Sequence, residues 1–246
     1  MHLKRVLAIG SYQTAWAMLH RLRSILVRPG RDRLAGRVKV DETFIGGEEA
    51  GVPGRAKGKK VLTAVAVEIR EPKGIGRCRM APVADASATS LHAFIRDHVE
   101  PGATIITDGW RGYLGIEKHG YVHARHSQRA VKARGEEPNT LLPAVHRVAS
   151  LTKRWLLGTH QGSAQNTHLP GYLNEFVFRF NRRSSHSRGM VFYRLLELAV
   201  THAPVRYADL IRNRHPDKRP PHPPRKRGKP PSLQRPPAGR PWRNIE

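Results

Sequence analysis

Two stretches decide the fold: RVKVDETFIGG (residues 37–47) and ATIITDGW (residues 103–110). Each is a short run rich in β-branched and apolar residues that stops at glycine. Each carries one aspartate, Asp41 in the first and Asp108 in the second. Between them, VLTAVAVEI (61–69) is nearly continuous apolar sequence, which suits a strand buried on both faces. GIGRCRMAPV (74–83) supplies a further short strand after a Gly-rich turn. Ser87 then precedes ATSLHAFIRDHV, where Leu91, Phe94, Ile95 and Val99 follow the 3.6-residue period of a helix packed on a sheet. The order is β-β-β-α-β.

That order, with one carboxylate on the first strand and another just past the fourth, is the plan of an α/β ribonuclease-H-like core built on a mixed sheet. Strands one and four are neighbours in it, so two aspartates 67 positions apart in sequence meet in space. Two carboxylates at one place repel each other unless a divalent cation lies between them, and oxygen ligation favours Mg²⁺ or Mn²⁺. Two such ions, about 3.5–4 Å apart, activate an attacking oxygen and stabilise a leaving one in phosphodiester displacement. Taken singly, each residue has a plainer reading. Asp41 is half of an Asp-Glu pair at a strand edge, and Asp108 is a turn residue before Gly109. The pair in this strand order is the more specific signal.

The flanking segments read as helices. Ser11 suits the cap of TAWAMLHRLRSILV, with Trp16, Leu19, Leu22 and Leu26 on one apolar stripe, His20, Arg21, Arg23 and Arg28 off it, and Pro29-Gly30 ending it. This basic helix suits equally the end of a helix-turn-helix and a helix packed on the next domain. LLPAVHRVASLTKRWLLG begins with Pro143 and is expected to stop at Gly158. GYLNEFVFRFNRR carries Leu173, Phe176, Val177 and Phe180 on one stripe, and MVFYRLLELAVTHA carries Val191, Leu195, Leu196 and Val200 on another.

A third metal ligand has two candidates. His146 and Lys153 lie two turns apart on one helix face, about 10 Å along the axis, so His146 suits the metal while Lys153, with Arg154, reaches a phosphate. Glu175 is chemically the more ordinary ligand, but Arg179 and Arg182 at i+4 and i+7 give it a surface ion pair instead. The run 179–183, with Arg179, Arg182 and Arg183, suits phosphate binding or a solvated helix end. Trp110, Tyr113 and Trp155 suit core packing or base stacking, with core the safer reading for Trp155.

Charge names the partner. The 246 residues hold 44 Lys+Arg against 19 Asp+Glu, a formal net charge of +25, which calls for a polyanion such as nucleic acid. From Arg212 to Glu246 lie eleven Lys/Arg, two acids and ten of the 19 prolines, the composition of a disordered or polyproline-like basic tail. Fourteen of the 19 acids lie in residues 1–137, so the stretch from 138 to 211 is the more cationic surface. The single cysteine excludes a disulfide framework, and no run of 18 apolar residues suggests a membrane span. A GTPase or kinase is excluded because no Gly-rich phosphate loop with a following Lys-Ser/Thr is present. A non-catalytic basic nucleic-acid-binding protein explains the charge equally well, but not the placement of Asp41 and Asp108.

SYQTAWAMLHRLR, VDETFIGG, TDGWRGY, HRVASLTKRWLLGTHQG and YLNEFVFRFNRRSSHSRG, together spanning roughly residues 10–205, resemble the DDE-type transposases of bacterial insertion sequences, the ISXO-like group. The resemblance implies a ribonuclease-H-like integrase core that cuts transposon ends and joins them to target double-stranded DNA with two Mg²⁺ (or Mn²⁺) ions, acting as a homo-oligomer in the cytoplasm at the nucleoid. Asp41 and Asp108 match its first two catalytic and metal-binding positions. His146, with Lys153 seven residues on, matches the variable third, which favours His146 over Glu175. Relatives begin with a longer DNA-binding region that includes a Cys-rich zinc ribbon. The implied domains are therefore a helix-turn-helix-like remnant (1–30), a catalytic domain (36–205) and the Pro/Arg-rich tail (212–246), with an inactive remnant of such an enzyme as the alternative.

Overall fold

The computed structural model describes residues 2–28, 30–46, 60–71, 74–126, 142–160 and 167–212. The tail beyond Arg212 and the Gly/Lys loop up to Lys59 lie outside them. In chain order the elements are α1 (His2–Val6), α2 (Tyr12–Ser24), β1 (Arg37–Ile45), β2 (Val61–Ile69), β3 (Ile75–Pro82), α3 (Ala88–His98), β4 (Thr104–Thr107), β5 (Val122–Arg125), α4 (Pro143–His160), α5 (Leu169–Asn181), α6 (Arg188–Thr201) and α7 (Tyr207–Arg212). The expected β-β-β-α-β order is present, followed by a fifth strand and then helices.

The strands form one mixed sheet in the order β3-β2-β1-β4-β5. β1 runs antiparallel to β2 and parallel to β4, and β5 extends the parallel side. Alternation along the strands sorts the core into two layers. Val38, Val40, Ala64 and Ala66 face α3, where they meet Leu91, Phe94 and Ile95. Val65, Val67, Cys78, Met80 and Ile106 face the other way, against Val145 and Val148 of α4 and Leu173 and Val177 of α5. β2 contributes to both layers, as its nearly unbroken apolar sequence requires. This is a ribonuclease-H-like core.

β3 is an edge strand, and its free backbone is an invitation to mispairing. Asn181, the last residue of α5, blocks it: its side-chain amide accepts from the Cys78 N–H (2.8 Å) and donates to the Cys78 carbonyl (3.1 Å). Arg183 adds donation to the Ile75 and Gly76 carbonyls. The helix end thus satisfies four backbone groups along an edge that is only partly open to water.

Two helices depart from the pattern of their sequence. In α2 the inward face holds His20 and Arg23, while Leu22 is exposed. The Arg23 Nε donates to Glu175 Oε2 on α5 at 2.7 Å, and its guanidinium lies 4.7 Å from the Tyr172 ring centroid. The His20 ring sits between Trp16 and His168, with centroids at 4.2 and 4.6 Å. A charge can be buried when it is paired and hydrogen-bonded, so polarity alone misplaces the face. Among the described side chains of α6 only Leu198 is buried, and Val200 is 87% exposed, so the expected stripe of Val191, Leu195, Leu196 and Val200 does not form a buried seam. Helix α4 also continues through Gly158 to His160.

Burial first, then the charges of Arg23, His168 and His160, hold the His20 imidazole down at about 4. Burial likewise brings His98 to about 4. Both rings fold neutral, so their contribution is complete above the unfolded value of 6.5 and is lost as pH falls from 6.5 towards 4. The thermal midpoint should therefore drop across that window, and His20→Phe should make the drop shallower without removing it, because His98 titrates in the same range. A midpoint that stays flat in the wild-type chain from pH 6.5 to 4 contradicts this.

Candidate active site

The site is built where β1 and β4 end. Their parallel register pairs Val38 with Ile105 and Lys39 with Ile106. Carried two residues further, it sets Asp41 beside Asp108, and the alternation that points Ile106 towards α4 points both aspartates the same way. Asp41 is part-buried within β1, and its Oδ1 accepts from the Glu42 N–H at 2.8 Å. Asp108 follows β4 and begins a turn: its Oδ1 accepts from the Trp110 N–H at 3.0 Å, and Gly109 takes φ 84°, a conformation that favours glycine. Asp108 is thus a turn residue and a neighbour of Asp41 at once.

α4 crosses the sheet over this point. Val145 and Val148 are its buried anchors, and His146, between them, projects outward at the helix edge. His146 Nε2 lies 3.8 Å from Asp41 Oδ2. Two donors bound side by side to a small octahedral cation at about 2.1 Å lie about 3 Å apart, so His146 and Asp41 stand less than about 1 Å from sharing one ion. Among the described residues, no group of three His, Cys, Asp or Glu side chains is close enough to hold an ion as it stands. The fit is in the carboxylates: two hard oxygen donors where adjacent strands end suit Mg²⁺ or Mn²⁺, and an imidazole stands against one of them.

The sequence candidates separate into groups. Lys153 and Arg154 are exposed on α4, beyond His146. Desolvation of its stem and then the charge of Lys60, the residue before β2, lower the Lys153 ammonium. Lys60 is the described end of the Gly/Lys loop, and only the fold reveals that its charge acts on Lys153. Glu175 stands elsewhere. Its two oxygens accept from Arg23 (2.7 Å) and Arg179 (2.9 Å), and its side chain is 15% exposed, so its ion pair is a near-buried interhelical one rather than a surface one with Arg182. Arg182 lies over the Phe178 ring at 3.7 Å, and Arg183 reaches the β3 edge, so Arg179, Arg182 and Arg183 form no common strip with Lys153.

Behind the aspartates, on the α3 side, Tyr113 is fully buried and its hydroxyl donates to Glu42 Oε2 at 2.7 Å. Burial, then Glu42, and then Asp41 and Asp108 push the phenol well above its ordinary value, so it remains a donor. Tyr113 is therefore a core residue and no stacking platform. The Trp110 indole N–H donates to the Ala86 carbonyl at 2.9 Å, tying the Asp108 turn to the start of α3. Trp155 packs against Phe176, with centroids 6.0 Å apart.

Residues 33–181 match the ISXO2-like transposase domain. The chain belongs to this family of insertion-sequence DDE transposases. No curated protein matches it. The matched span starts just before β1 and ends with α5, so the transposase domain contains the whole sheet, the Asp41–Asp108 juncture and Lys153. Such domains bind and cut DNA and generally use divalent metal. Among the described residues no helix is long and apolar enough to cross a membrane.

The Asp108 turn depends on a glycine four residues on. A Cβ on Gly112 would stand 2.4 Å from the Ala86 carbonyl oxygen and 2.9 Å from both Leu91 Cδ1 and Trp110 Nε1. Gly112→Ala should cost about 1–3 kcal/mol in urea unfolding and lower DNA cleavage by displacing Asp108. Wild-type stability in that variant would show that the turn is free to shift.

Proposed function

We propose that this transposase domain carries out divalent-metal-dependent cleavage of double-stranded DNA at transposon ends and strand transfer into target DNA, with Mg²⁺ or Mn²⁺ as its metal. The placement of Asp41 beside Asp108, on the face that α4 covers with His146, carries the reading. Asp41 and Asp108 would hold the metal, with His146 as the third ligand. Two ions, when bound, would supply activation of the attacking oxygen and stabilisation of the leaving one. The protein's own work is positional. The β1–β4 register fixes the two carboxylates, the Trp110 N–H orients Asp108, and the Val145 and Val148 anchors set the height of His146. Lys153 and Arg154, with Lys60 beside them, hold the phosphate backbone at the same end of the sheet. A homo-oligomer on DNA, acting at the nucleoid in the cytoplasm, accords with this chemistry, because two ends must be joined to one target.

Glu175 takes a different role. Removing it leaves Arg23 as a nearly buried cation without its carboxylate. Glu175→Ala should thus cost on the order of 3 kcal/mol of stability and spare the metal dependence of cutting. Asp108→Asn should lower Mn²⁺-dependent nicking and joining by more than about 100-fold at wild-type stability, since an amide is a poor metal ligand. His146→Ala should abolish joining. Activity that survives Asp108→Asn would remove the site, and loss of metal dependence in a folded Glu175→Ala protein would transfer the third position to Glu175.

A further inference from the structure

A cavity of about 460 Å³ opens at the β3 edge, between the connector after α2 and the helices α5 and α6. Six arginines line it: Arg28, Arg31, Arg77, Arg79, Arg182 and Arg194. Three are answered by carboxylates, Arg28 by Asp32, Arg77 by Glu68 and Arg194 by Glu197. Among the described residues, the other three are not. Arg182 finds only the Phe178 ring and its carbonyl. Arg31 makes no hydrogen bond or ion pair with any described residue. Arg79 is 6% exposed, donates only to the Cys78 and Asp32 carbonyls, and keeps its Nε without an acceptor.

A buried guanidinium without a counter-charge is costly, and Arg79 has Arg31 and Arg77 beside it. Burial and those neighbours lower it only to about 10, so it remains a cation at neutral pH. Planar guanidinium forks from three elements, converging on one concavity, match a tetrahedral oxyanion rather than a carboxylate already in the protein. Nor does the cavity belong to the carboxylate site. Arg79 pairs with Ala66 and Ala66 with Val40, whereas Asp41 pairs with Val65 and Val65 with Met80. Arg79 and Asp41 therefore leave the sheet from opposite faces, two strands or about 10 Å apart, and the cavity wraps the β3 edge to reach α5 on the Asp41 face.

We propose that this cavity is a second phosphate site, which holds a backbone phosphate of DNA away from the Asp41–Asp108 pair. It gives a DNA-cutting domain a grip on the duplex that is independent of the reacting bond. The inference rests on DNA as partner, and is read by binding alone, so it stands or falls separately from catalysis.

The test uses the full chain and a fluorescent duplex in anisotropy titrations over a range of salt. Arg31→Gln removes a cation that supports no internal bond, which keeps the fold out of the result. Lys118→Gln, an exposed charge in the connection between β4 and β5 and outside the cavity lining, serves as the comparison. The expected result is about tenfold weaker binding for Arg31→Gln at 0.1 M salt, with the salt slope reduced by about one, and wild-type behaviour for Lys118→Gln. Equal affinity and slope for Arg31→Gln and Lys118→Gln would overturn the proposal. A nucleoside monophosphate or inorganic phosphate that raises the thermal midpoint of the wild type but not of Arg31→Gln, with duplex affinity unchanged, would overturn the DNA assignment in favour of a free phosphate.

Discussion

Everything at the candidate site follows from β1 being paired along both edges. On one side it is antiparallel to β2 over eight residue pairs, from Val38 to Ile45. On the other it is parallel to β4 over three, ending at Lys39. The first contact fixes the height of Asp41, and the second ends just below it, where the chain turns away through Asp108 and Gly109. A slip of one residue in either register would send one aspartate to the α3 face, so the juxtaposition is as well determined as the core itself.

Around that centre, polar groups do structural work that apolar ones do elsewhere. Glu175 joins α5 to α2 through Arg23. Asn181 and Arg183 seal the backbone edge of β3. Tyr113 and Glu42 form a buried hydrogen bond directly behind the aspartates. These interactions divide the large positive charge into parts with separate duties. Arg23 and Arg183 hold elements together, Lys153 and Arg154 stay exposed on α4 with the charge of Lys60 acting on Lys153, and Arg31, Arg79 and Arg182 line the cavity at the β3 edge.

The central fold was legible because its strands are short, apolar and punctuated by glycine, and because Leu91, Phe94 and Ile95 have the period of one helix. Asp41 and Asp108 could be paired from strand order alone. β5 could not be seen: its four residues, VHAR, hold one exposed valine and a histidine that finds its partners in Thr107 (2.9 Å) and Glu117 (3.3 Å). The inward face of α2 was hidden for a similar reason, since Arg23 and His20 bury through partners 150 residues away. Stripe counting failed at α6 because Val200 and Leu196 remain exposed. The arginine cavity has no sequence signature, as Arg31, Arg79 and Arg182 come from a connector, a strand and a helix end.

The central claim is that Asp41 and Asp108 form one metal-binding unit. Its most direct measurement is Mn²⁺ binding to the full chain, followed by electron paramagnetic resonance, for the wild type, Asp41→Asn, Asp108→Asn and the double variant. The expected result is that each single substitution weakens Mn²⁺ binding strongly and that the double variant is little worse than either, as for two ligands of a shared site. Binding that is unchanged in both single variants, or losses that simply add, would contradict it.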